Sequence, residues 1–96
     1  MIKHIVCFKL KDNSEKNCEI TADILKSMEG KVPQVKGIEV GVDFLHSARS
    51  YDIILQVSVE DEKALEDYQN DEYHCSVVKK HMHTVMESSV AVDYYI

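Results

Sequence analysis

The sequence predicts an α+β fold of the split βαβ, ferredoxin-like kind, a four-stranded antiparallel sheet with its helices on one face. Residues 2–11 and 51–60 alternate apolar and polar side chains with a period of two, the mark of strands with one buried face. Residues 14–29 repeat apolar side chains at helical spacing. The elements then run strand, helix, strand, strand, helix pair, strand, which is the order that this topology requires.

In the first strand Ile2, His4, Val6, Phe8 and Leu10 share one face, with Lys3, Ile5, Cys7, Lys9 and Lys11 on the other. Asp12 followed by Glu15 resembles a capping box with Asp in the Ser or Thr role, so a helix is expected from about Ser14 to Glu29, carrying Ile20, Ile24, Leu25 and Met28 and stopping at Gly30. Val32-Pro33 breaks the pattern, because proline disfavours helix at the residue before it. Gly37 leads into a second strand, with Ile38, Val40 and Val42 alternating with Glu39, Gly41 and Asp43. After the polar connection His46–Ser50, the third strand sets Tyr51, Ile53, Leu55, Val57 and Val59 against Asp52, Ile54, Gln56, Ser58 and Glu60.

Asp61 caps a short helix carrying Ala64, Leu65 and Tyr68. Asn70 interrupts it, and Asp71 caps another helix that carries His74, Val77, Val78, His81, Met82 and Val85. Val90, Val92 and Tyr94, alternating with Ala91, Asp93 and Tyr95, form the closing strand. The sheet face away from the helices is expected to hold Ile5, Cys7, Ile54, Gln56, Ala91 and Tyr95, with Lys9, Asp52 and Glu60 at the strand ends. So apolar a face needs a cover, and back-to-back pairing of two copies into a homodimer is the simplest one.

The 96 residues are the size of one domain, residues 1–96, with a core small enough that association is expected on this ground as well. Eleven Lys and Arg against 17 Asp and Glu give a net charge of −6, which repels nucleic-acid phosphates and anionic membrane surfaces. The three cysteines, Cys7, Cys18 and Cys75, are far apart and contain no CxxC pair, which fits a reducing cytoplasm better than a disulfide framework or a zinc site. The first residues have neither the apolar run of a signal peptide nor that of a spanning helix. No metal site is expected: HEXXH is absent, His81 and His83 point to nearly opposite sides of a helix, and His46 lies alone in a polar connection.

Chemistry is concentrated in the stretch Asp67-Tyr68-Gln69-Asn70-Asp71-Glu72-Tyr73-His74, taken together with His4. His4 shares its strand face with Val6 and Phe8, beneath the helices, where burial favours the neutral imidazole. Tyr68 follows Leu65 by three residues and presents its hydroxyl at the end of an apolar wall, suited to orienting a carbonyl or an enolate. His74 sits near the start of the helix that Asp71 caps, where the helix end opposes its protonation and Asp71 and Glu72 favour it. His81, seven residues further on, shares a helix face with His74, Val77 and Val78. The expected catalytic set is His74, Tyr68 and His4, in a cavity walled by Val6, Phe8, Ile53, Leu55, Val78 and His81, with no cofactor.

Three stretches carry a family resemblance: Met1-Ile-Lys-His-Ile-Val-Cys-Phe-Lys-Leu-Lys-Asp12; Ile38-Glu-Val-Gly-Val-Asp43 with Arg49-Ser-Tyr-Asp-Ile-Ile-Leu55; and Ala64-Leu-Glu-Asp-Tyr-Gln69 leading to His74. Together with Val90-Ala-Val-Asp-Tyr94 they resemble the stress-responsive A/B barrel family, Dabb, over essentially the whole chain. The resemblance implies a dimeric α+β barrel in which two sheets meet face to face. A plant polyketide cyclase of this family is similar more distantly, and it implies an aldol-type pocket between sheet and helices to which His4, Tyr68 and His74 correspond by motif position. This chain has Asp71-Glu72-Tyr73 where members commonly place a His-Pro pair before the second histidine, and Ile53 where the cyclase has a further pocket histidine. Two roles follow: acid–base chemistry, cyclase- or isomerase-like, on a small apolar molecule bearing a carbonyl, or a non-catalytic stress-associated homodimer or carrier that uses the same cavity.

Overall fold

Strands β1 (Ile2–Leu10), β2 (Gly37–Val42), β3 (Ile53–Val59) and β4 (Met86–Tyr95) form one antiparallel sheet in the order β2-β3-β1-β4. The coordinates are a computed structural model that describes residues 1–96. Register follows the side-chain alternation. Ile2 pairs with Val59 and Phe8 with Ile53 on one side of β1, while Ile2 pairs with Tyr95 and Phe8 with Ser89 on the other. The even residues of β1 and the odd residues of β3 and β4 therefore share one face.

Helices α1 (Glu15–Lys26), α2 (Glu62–Asn70) and α3 (Lys80–Val85) cover that face, with a π-helical segment, His74–Lys79, running directly into α3. Leu55, Val57 and Val59 of β3 pack with Leu25, Met28 and Val32 below α1 and with Tyr68, Val78 and Met82 from the second helical layer. Full burial of each such aliphatic side chain contributes about 1.5–3 kcal/mol.

The cap of α1 is Ser14, whose Oγ accepts from the Asn17 N–H at 3.3 Å. Asp12, expected as the cap, accepts instead from the Ser14 N–H at 3.0 Å and shapes the turn ahead of the helix. The helix ends at Lys26 rather than Glu29. Tighter turns continue to Gly30, whose φ of +81° is the left-handed conformation that glycine adopts without a Cβ penalty. Asp61 caps α2 through the Ala64 N–H at 2.8 Å, as its position predicts.

Strand β4 begins at Met86, four residues before Val90, and its faces are the reverse of those expected. Val90 pairs with Cys7, Val92 with Ile5 and Tyr94 with Lys3, so these three lie on the outer face. Ala91 and Tyr95, expected outside, pair with Val6 and Ile2 on the helix side. The outer face is thus more apolar than the sequence suggests, with Val90 50% and Val92 61% exposed.

Asp52 also departs from expectation. It is buried just ahead of β3 instead of standing on an outer strand end. Its carboxylate accepts from the Leu10 N–H at 2.8 Å and from Asn13 Nδ2 at 3.0 Å, and its own N–H donates to the Phe8 carbonyl at 2.9 Å. One side chain thereby ties the end of β1, the start of β3 and the lead-in to α1. Asp52→Ala leaves the buried Leu10 N–H without an acceptor and unties Asn13, and urea denaturation is expected to show a loss of about 2 kcal/mol with an unchanged m-value.

Candidate active site

Between the inner sheet face and the broken second helical layer lies a cavity of about 360 Å³, within the range of small-molecule sites. His4, Val6 and Phe8 of β1, Leu55 of β3 and Ser89 and Ala91 of β4 form its floor. Tyr68, Gln69, His74, Val78, Lys79, Met82 and His83 form its roof. The three side chains singled out from the sequence all border this one space.

The roof takes this shape because the helix breaks at Asp71. Its backbone turns extended, with φ −59° and ψ 137°, ending α2, and its carboxylate accepts from the His74 N–H at 3.0 Å to start the next helix. His74 is buried, and its Nδ1–H donates to the Tyr68 carbonyl at 2.9 Å. That bond fixes the tautomer and leaves Nε2 with its lone pair. Burial holds the imidazole below the ordinary histidine value. The Tyr68 carbonyl opposes this shift, Lys79 and His4 reinforce it, and Asp71 opposes it.

His4, also buried, hydrogen-bonds through Nδ1 to the Asp93 carboxylate, its register partner on the neighbouring strand. Here again Nε2 is the free nitrogen. The carboxylate orients the ring.

Tyr68 is fully buried between the two imidazoles, edge-on to His4 with centroids 5.7 Å apart and tilted against His74 at 4.3 Å. Its hydroxyl donates to Met28 Sδ at 3.7 Å inside the core, and burial holds the phenol well above its usual range. The ring belongs to the cavity wall, but the hydroxyl is engaged away from it, contrary to the carbonyl-orienting position expected from the sequence.

Val6, Phe8, Leu55 and Val78 stand on the cavity, whereas Ile53 and His81 do not. Ile53 packs in the core. His81 Nε2 meets Thr21 Oγ1 at 2.9 Å and pins α3 to α1. The π turns, closed by i→i+5 bonds, take more residues per turn than an α-helix, so a seven-residue spacing no longer brings His81 beneath His74. His83 borders the cavity instead. Asp93, Gln69, Lys79, Met82, His83, Met86, Ser89 and Ala91 are site residues or partners that the sequence reading missed. Asp93 is recoverable from the register of β4 against His4.

The family model described as Stress responsive A/B Barrel Domain matches residues 2–96. The chain belongs to this Dabb family. Solved structures share its fold across almost the whole chain. A dimeric protein of unknown function and ferredoxin-like fold from Bacteroides fragilis is 23% identical, covering 99% of this chain and 95% of that one, with a TM-score of 0.81. A Dabb family protein with a ferredoxin-like fold from Mesorhizobium loti is 21% identical at 99% and 95% coverage, TM-score 0.83. A hydroxynitrile lyase from Passiflora edulis is 16% identical at 99% and 92% coverage, TM-score 0.83. No curated protein matches the chain. No helix of this Dabb chain is long and apolar enough to cross a membrane.

The lowered basicity of His74 has a defined effect on stability. In the unfolded chain the ring titrates near 6.5, and in the fold it titrates lower. The unfolded state thus binds more protons between the two values, so the His74 contribution is present above 6.5 and is lost as the pH falls below it. NMR titration is expected to put His74 below 6.5, and denaturation across about pH 7 to 5 to show a decline in stability that His74→Gln lessens.

Proposed function

We propose that this Dabb protein is a homodimer, joined through the outer sheet faces, whose subunits each bind a small, largely apolar molecule bearing a carbonyl and act on it by acid–base chemistry. The observation that carries the reading is the pair of buried imidazoles on one apolar cavity, each with Nδ1 held and Nε2 free. His74 Nε2 is the proton acceptor, neutral at pH 7 because of its burial. His4, backed by Asp93, holds the carbonyl oxygen through Nε2 when its ring is protonated, and Tyr68 spaces the two rings apart. Proton removal beside a carbonyl, giving an enolate, needs no more than this. A hydroxynitrile lyase from Passiflora edulis shares the fold, although fold by itself does not carry function.

A second reading, a carrier without catalysis, is favoured by the Tyr68 hydroxyl, which bonds Met28 and offers the ligand no proton. The same cavity then only holds its guest. The dimer rests on Val90, Val92 and Tyr94 beside Ile5, Cys7 and Ile54, a contiguous apolar face, and on the dimeric state described for neighbours from Bacteroides fragilis and Thermobifida fusca. All three cysteines are free, which fits a cytoplasmic setting.

Screening small ketones and aldehydes by amide chemical-shift changes, followed by deuterium exchange at the α-carbon of those that bind, tests the chemistry. His74→Ala should slow protein-dependent exchange by roughly 100-fold or more, the usual contribution of a general base, while Tyr68→Phe leaves it within a few-fold. Exchange no faster than in buffer, with binding intact, selects the carrier instead. Sedimentation at micromolar concentration is expected to give twice the chain mass, and Val92→Glu, which buries a charge in the proposed interface, to give the monomer. A wild-type monomer would remove the interface from the proposal.

A further inference from the structure

Resting on the cavity as a ligand site, we infer that its ligand carries a carboxylate at one end of an apolar body, held at the cavity rim by Lys79 and His83. The chain has 17 Asp and Glu against 11 Lys and Arg, yet none of the side chains lining the cavity is acidic. Its ionisable lining besides Tyr68 is His4, His74, Lys79 and His83, all groups that carry positive charge or none. On so acidic a protein, a wall without a carboxylate is a local reversal of charge.

Lys79 is the fixed cation of that wall. It is half-buried and has no carboxylate partner, because the ion pairs of the chain are His4 with Asp93, His46 with Asp43, and Lys63 with Asp67. Its Nζ donates to the Gln69 carbonyl at 2.8 Å, which anchors the ammonium at the end of α2 and leaves two of its N–H groups free. His83 stands four residues on, within one helical turn on the same side, and Ser89 of β4 brings a hydroxyl from the floor. A carboxylate placed here gains a charge-assisted bond from Lys79 and hydrogen bonds from neutral groups, while its body lies along the apolar floor toward His4 and His74. A half-buried ammonium without a counter-ion has lost part of its hydration with little return, and a bound anion supplies the missing partner.

Paired probes of one shape, 4-phenylbutanoate and 4-phenylbutanamide, separate the charge from the cavity when titrated into the full chain and followed by amide shifts and calorimetry. The acid is expected to bind about tenfold more tightly than the amide, the usual scale of a hydrogen bond to a charged group. Lys79→Gln, which keeps a donor for the Gln69 carbonyl, should bring the acid close to the affinity of the amide and weaken the amide far less than the acid. His83→Ala should weaken the acid by a smaller factor. Equal binding of acid and amide, or an acid indifferent to Lys79→Gln, overturns the carboxylate inference while the cavity remains a ligand site. Failure of both probes to shift cavity amides, with small ketones failing too, overturns the site itself.

Discussion

A sheet with helices on one side has two faces to protect from water and a single layer to do it with. Most of this molecule follows from that constraint. The inner face carries the core, built on the odd residues of β3, which are all buried. The outer face is only partly polar, because the central strands β1 and β3 set β-branched side chains there beside Lys3, Lys9, Gln56 and Ser58. Ile5, Ile54, Val90 and Val92 are the result, an apolar surface that asks for a second layer from elsewhere.

The helical layer is too short to fill the inner face without a gap, and the gap is where the polar groups collect. Asp71 ends one helix and starts the next, so the chain crosses the sheet in two pieces set at an angle. Tyr68 closes the first piece and His74 opens the second, and a single bond from His74 Nδ1 to the Tyr68 carbonyl locks them to each other. A helix end has carbonyls without intrahelical donors, and here a side-chain imidazole satisfies one of them. The same bond that completes the helix end leaves Nε2 as the unbonded nitrogen of His74.

Much of this was legible in the sequence because strands and helices announce themselves by period. The alternation of β1 and β3, and the Asp residues at the helix starts, direct His4, Tyr68 and His74 toward the same side of the sheet. Period alone does not say which face of a strand is inside. In β4 the more apolar set, Val90, Val92 and Tyr94, reads as the buried one, and only pairing with β1 reveals that Ser89, Ala91 and Asp93 face the helices. His81 was misplaced for a related reason, since the π turns change the angle between successive residues and leave no trace in composition. Asp52 looks like a solvated charge until its three backbone and side-chain bonds are seen together. The direction of the Tyr68 hydroxyl depends on where Met28 lies, forty residues away in the chain.

Strand β4 leaves α3 without a loop, Met86 following Val85 directly. Its residues then alternate between two audiences. Ser89 and Ala91 line the cavity, while their neighbours Val90 and Val92 look outward. The cavity floor and the outer face are consequently parts of one continuous stretch of backbone. A slip of β4 by one residue would exchange the two sets, carrying Val90 and Val92 into the cavity and Ser89 and Ala91 out of it.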